Sequence, residues 1–91
     1  MRKLIWQPEA RRQLDDIILY IGERNYSAAA RLDEQIRHHT DLLQHHPFIG
    51  RPGRVAGSRE LVVHPNYILI YRVEEETVEI IRALHAHQQY P

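Results

Sequence analysis

Seven histidines stand among the 91 residues, and imidazole is the side chain that changes charge nearest neutral pH. His38, His39, His45 and His46 fall on or just after one helical stretch, with Asp41 four residues before His45. That spacing can place two ligands on one helical face, but zinc takes three or four ligands in a closed shell and nothing completes the set. They are read as polar-face residues, and no metal or cofactor is expected. His85 and His87 close the last apolar stretch, where residues two apart on a strand point to the same side. Such a histidine, near arginines, can act as a general acid or base; the competing reading is an exposed strand end without a catalytic role.

Arg59, Arg72 and Arg82 come from three successive strand-like stretches. By parity Arg82 belongs with Val78, Ile80 and Leu84, and His85 with Ile81 and Ala83, so Arg82 and His85 face opposite sides unless a bulge intervenes. Tyr67 and Tyr71 share a face with Leu69 and Val73; core packing is expected there, with base stacking as the alternative. Gly50, Gly53 and Gly57 lack the spacing and the following helix of a phosphate-binding loop. There is no serine nucleophile motif. The absence of cysteine removes disulfides, a thiol nucleophile and a thiolate zinc site.

The elements that must position these residues can be read in order. Residues 2–6 form a short apolar stretch that reads as a strand. Pro8 suits the first position of a helix, with Glu9 in its first turn. Ala10, Leu14, Ile17, Ile18 and Ile21 then make one helical stripe that runs to about Arg24. Ser27 reads as the N-cap of a second helix carrying Ala29, Leu32, Ile36 and Leu43, which Pro47 stops near His45. The short connection makes the two helices an antiparallel hairpin.

Residues 46–58 read as a loop that holds three of the four glycines. Strands follow over Arg59–His64, Tyr67–Val73 and Thr77–His85, separated by His64-Pro65-Asn66 and Glu74-Glu75-Glu76. The order predicts a single α+β domain over 1–91: an N-terminal strand, a helical hairpin, then a three-stranded antiparallel meander. Helices cover one face of the sheet, and the other is expected to lie open to a partner.

Composition sets the class. Hydrophobic residues at 43% and charged residues at 26% are those of a globular protein in water, and one domain is all this length supports. No apolar run is long enough to span a membrane, and Gln7-Pro8-Glu9 cuts short any leader-like start, so a cytoplasmic address is expected. Twelve basic and twelve acidic side chains cancel, which argues against strong non-specific nucleic-acid binding. Charge is nonetheless segregated. Arg51, Arg54, Arg59 and Arg72 face only Glu60 between Pro47 and Arg72, while Glu74, Glu75, Glu76 and Glu79 outnumber Arg82 beyond it.

Three blocks carry a resemblance: Arg59-Glu60-Leu61-Val62-Val63, then Tyr67-Ile68-Leu69-Ile70-Tyr71-Arg72-Val73, then Val78-Glu79-Ile80-Ile81-Arg82-Ala83-Leu84-His85. With the stretch Trp6 to Ile21 and the loop His46 to Arg54, they resemble ParE-like toxins of the ParE/RelE superfamily of type II toxin–antitoxin modules, over nearly the whole chain. The resemblance implies that superfamily's compact α+β toxin fold and a plasmid-stabilisation type of role, with a cognate antitoxin as partner in a hetero-oligomer. It also implies one of two targets. ParE-type members poison DNA gyrase without turning over a substrate; RelE-type members cut messenger RNA on the ribosome with basic residues and a tyrosine on the open sheet face. Here Ile68 stands where the ribonucleases commonly carry arginine, and Lys3 is the only lysine, whereas His85 matches a histidine used in one ribonuclease branch.

Gyrase is therefore the expected target. Arg59, Arg72, Arg82, His85, His87 and Tyr90 are the expected target contacts, and Leu19, Tyr20, Leu32 and Ile36 the expected antitoxin contacts. Catalysis falls to His85 only if the chain is a ribonuclease. A relic that binds antitoxin without toxicity is the remaining alternative.

Overall fold

The computed structural model describes residues 1–90. Strand β1 (Lys3–Trp6) leads into helix α1 (Pro8–Arg24) and helix α2 (Tyr26–His45). Strands β2 (Arg51–Pro52), β3 (Arg59–His64), β4 (Tyr67–Val73) and β5 (Thr77–His85) follow. The sheet order is β1-β5-β4-β3-β2, with β1 parallel to β5 and every other pair antiparallel. The predicted strand, hairpin and meander are all present, and the loop contributes one short strand more: Arg51 and Pro52 pair with Glu60 and Arg59 at the sheet edge. Among the described residues no helix is long and apolar enough to cross a membrane.

Pro8 opens α1 as its fixed φ allows, with Glu9 in the first turn and Arg24 in the last, each complementing the helix dipole. Asn25, not Ser27, caps α2: its side-chain oxygen accepts the Ala28 N–H at 3.0 Å. Asn25 also donates its own N–H to the Ile21 carbonyl at 2.7 Å. One residue thus ends α1 and starts α2, and Ser27 lies inside the first turn.

The hairpin buries its stripe against one sheet face. Ala10, Leu14, Leu32, Ile36 and Leu43 meet Leu61, Val63, Leu69, Tyr71, Val78, Ile80 and Ala83 in one core. Burial of this apolar surface is the main driving force for the fold.

A β-bulge alters the expected parity of β5. Ile70 stands opposite Arg82 but Tyr71 stands opposite Ile80, so Ile81 is an extra residue. Val78 and Ile80 point to the helices before the bulge, and Ala83 does so after it. Arg82 is thereby removed from the Val78–Ile80 row. It shares the other face with Leu84, Ile68 and Ile70. Arg82 and His85 still face opposite sides, because both lie beyond the bulge. The Ala83 N–H, on the edge β1 no longer covers, donates to the Gln13 side chain of α1 at 3.0 Å.

The second face is not bare. Residues after β5 turn back over it, and the Tyr90 side chain packs on Ile68, Ile70 and Leu84, flanked by Val55 and Ala86. Tyr90 is 8% exposed.

Candidate functional site on the sheet

Residues of alternating parity on β4 and the bulged end of β5 bring Arg72 and Arg82 to the same face. Both line a recess of about 170 Å³ whose other walls are Val55, Ser58, Ile70, Ile81 and Tyr90. A neighbouring recess of about 340 Å³ continues past the same two arginines to Gln7, Glu9 and Glu79. Together they form a groove that is apolar at the Tyr90 end and carries Glu9 and Glu79 at the other, with Arg72 and Arg82 lining both parts. Among the described residues neither arginine is in an ion pair. Glu79 stands opposite Arg72 across the strands, but its carboxylate accepts from the Gln7 side chain. Two guanidiniums so placed present planar donor forks to a phosphate or carboxylate.

One side of the groove is braced by a buried carboxylate. Glu60 is 4% exposed. It accepts from the Arg51 guanidinium at 2.9 Å and lies 3.6 Å from that of Arg54. The Arg54 guanidinium also lies over the Tyr90 ring, 4.5 Å from its centre, and the Arg54 N–H donates to the Tyr90 hydroxyl at 3.4 Å. A chain of contacts from Arg51 through Glu60 and Arg54 thus fastens the C-terminal segment onto the sheet.

Arg59 does not join the groove. It stands opposite Tyr71, on the helix side of the sheet, and donates to the Gly50 carbonyl at 2.7 Å. His85 and His87 are exposed at the end of β5. His85 stands opposite Tyr67, also on the helix side, with their rings 5.5 Å apart and nearly perpendicular. The His64 ring lies 5.5 Å from Tyr67 on another side, and the His87 ring 5.7 Å from His85. The expected set of target contacts is therefore divided. Arg72 and Arg82 come together, Arg59 and His85 lie on the other face, His87 lies in the turn beyond β5, and the buried Tyr90 is a wall of the groove in place of a free contact.

The expected antitoxin contacts divide too. Leu19 and Tyr20 are 63% and 58% exposed on α1, with the Arg24 guanidinium 3.7 Å over the Tyr20 ring. Leu32 and Ile36 are 2% and 3% exposed because their stripe on α2 faces the sheet. A partner cannot touch them without opening the core, so they are corrected to structural residues.

The helical histidines serve locally: His39 and His45 each engage the carbonyl one turn back, at 2.7 Å and 3.2 Å. Among the described residues no group of three metal-ligating side chains converges.

The sequence reading missed Glu60, Gln13 and the role of Tyr71. The Tyr71 hydroxyl donates to the Pro47 carbonyl and accepts from the Gly50 N–H. Burial pushes its pKa up, partly offset by the Gly50 N–H and the Arg59 guanidinium. A lone acid among four arginines was the one sequence signal for Glu60. Nothing local marks the other two.

Comparison with known proteins agrees with this architecture. Residues 4–90 match the family described as ParE toxin of type II toxin-antitoxin system, parDE. Y4kP of Sinorhizobium fredii, which carries a toxin designation, is 42% identical over 91 residues, covering 99% of this chain and 94% of its own. Toxin RelE2 of Caulobacter vibrioides is 36% identical over 86 residues, covering 94% and 97%. A structure of the chromosomal ParDE system of P. aeruginosa superposes with a TM-score of 0.80 at 25% identity, covering 93% of this chain and 96% of that one. Strand order, helical hairpin and the near-complete match converge: the chain belongs to the ParE toxin family, within the ParE/RelE superfamily of type II toxin–antitoxin systems.

Proposed function

We propose that this toxin arrests growth in the cytoplasm by poisoning DNA gyrase, with the Arg72–Arg82 groove as its principal contact, and that its antitoxin neutralises it in a hetero-oligomer. The observation that carries the choice of target is the division of charged groups between the two sheet faces. Cleavage of RNA needs a base for the 2′-hydroxyl, an acid for the leaving oxygen and cations on the phosphate, all converging on one phosphodiester. In this chain Arg72 and Arg82 lie on one face and His85 on the other, while Arg59, on the His85 side, is held by the Gly50 and Phe48 carbonyls. Ile68, in the sheet beneath Tyr90, supplies no charge. Poisoning a protein–DNA complex asks for less: a surface that binds and holds.

The test is replacement of both groove arginines. Arg72→Gln with Arg82→Gln should abolish growth arrest while the protein still folds and still binds its antitoxin. Full toxicity of that variant would remove the groove from the mechanism.

The ribonuclease reading has one observation in its favour, the exposed His85 ring beside Tyr67, with His64 and His87 close by. Under that reading His85→Gln alone would abolish toxicity.

A further inference from the structure

The segment Pro47–Gly50, between α2 and β2, is tied down from the sheet along its backbone. The Tyr71 hydroxyl donates to the Pro47 carbonyl at 2.7 Å and accepts the Gly50 N–H at 2.9 Å. The Arg59 guanidinium donates to the Gly50 carbonyl at 2.7 Å and to the Phe48 carbonyl at 3.4 Å. Gly50 is required by this approach, since a Cβ there would lie 2.5 Å from the Tyr71 hydroxyl. Pro47 and Gly50 are buried, yet the two large side chains between them point out: Phe48 is 59% exposed and Ile49 49%. The loop is fixed in a conformation that displays apolar surface.

Two guanidiniums flank this tip. The Arg59 guanidinium lies 5.0 Å from the centre of the Phe48 ring and that of Arg2 lies 5.7 Å from it. Among the described residues neither is in an ion pair; Arg2 donates to the Glu74 backbone carbonyl at 2.9 Å. Glu60 is buried and engaged by Arg51 and Arg54. Arg2 also lines a recess with Lys3, Glu75 and Glu76, but among the described residues neither carboxylate pairs with it.

We propose that the Phe48–Ile49 tip is an anchor point for an acidic segment of the antitoxin. Apolar side chains of that segment cover Phe48 and Ile49, and its carboxylates meet Arg2 and Arg59. Charge complementarity selects the partner: two cations without counter-charges beside an exposed aromatic ring favour a segment carrying acids around an apolar residue. A preorganised aromatic with guanidiniums at its side is the kind of group that dominates interface energies, because little ordering remains to be done on binding. The tip is held by Tyr71 and Arg59, on the helix side of the sheet, whereas Arg72 and Arg82 lie on the other side. Anchoring and target contact are therefore separable. The inference rests on neutralisation by an antitoxin and is independent of which target the toxin attacks.

The experiment compares the wild-type chain with Phe48→Ser and Arg2→Glu, by titration against the purified antitoxin of its own operon and by growth arrest in cells lacking that antitoxin. Phe48 is exposed and Arg2 half-buried, and an unchanged thermal transition verifies folding of each variant. The expected result is at least tenfold weaker antitoxin binding by each variant, with growth arrest retained. Antitoxin affinities within twofold of wild type would overturn the anchor, as would loss of growth arrest with unchanged antitoxin binding, which would place the tip in the target interface. Failure of the wild-type chain to bind the antitoxin would instead overturn the antitoxin reading itself.

Discussion

The Tyr71 hydroxyl sits between Gly50 and Pro47, accepting the N–H of one and donating to the carbonyl of the other across 21 and 24 residues of sequence. A phenol in the middle of the central strand thus fixes the loop after α2, and with it the start of β2 and the Phe48–Ile49 tip. Tyr71→Phe leaves the buried Gly50 N–H without a partner and should cost about 1–3 kcal/mol of stability, read by chemical denaturation. Gly50→Ala should be at least as damaging, since its Cβ would meet the hydroxyl at 2.5 Å. Wild-type stability in both variants would contradict the role given to this contact.

Tyr71 also sets an alkaline limit. Burial raises its pKa above the ordinary 10.0, so the folded state holds the phenolic proton more tightly than the unfolded state. The resulting stability is fully present below the unfolded value and is lost as pH rises through the folded one. Stability of the wild type should therefore fall more steeply above pH 10 than that of Tyr71→Phe. Parallel pH–stability curves would show that this proton is not linked to folding.

The C-terminal fastening gives a third prediction. Tyr90→Ala uncovers Ile68, Ile70 and Leu84 and removes the ring under Arg54. It should cost about 2–4 kcal/mol and expose an apolar strip that binds a hydrophobic dye. Glu60→Gln weakens the same fastening by removing the charge that holds Arg51 and Arg54. The two losses should be less than additive, because both act through Arg54.

The histidines give a fourth. With His85 on the face away from the arginine groove and His87 in the turn beyond β5, replacing both by glutamine should leave growth arrest within about twofold of the parent. A loss of toxicity in a folded double variant would return these residues to the mechanism.

Much of this structure was legible in the residues because period and punctuation carry it. The stripe from Ala10 to Ile21, the alternation of Leu61 and Val63, and the doubly apolar Tyr67–Val73 stretch each announce their element. What escaped depends on distant or single-residue events. Parity counting runs through Ile81 as if β5 were regular, and one inserted residue carries Arg82 to the other face. Asn25 and Ser27 are both good caps, and the backbone turn between the helices decides for Asn25. Leu32 and Ile36 suit both a core stripe and a docking surface in sequence; burial allows only the first. Tyr90 acts through a contact 36 residues away in sequence, with nothing local to signal it, and Glu60 shows only as a lone acid among four arginines.

A toxin with Arg72 and Arg82 on one sheet face and His85 on the other should bind its target instead of cleaving RNA. Purified wild-type chain should be assayed side by side for gyrase-dependent breaks in supercoiled DNA and for cleavage of ribosome-bound message. The expected result is DNA breaks that require gyrase and vanish with Arg72→Gln and Arg82→Gln, with the message left intact. Cleaved message without gyrase-dependent breaks would contradict it.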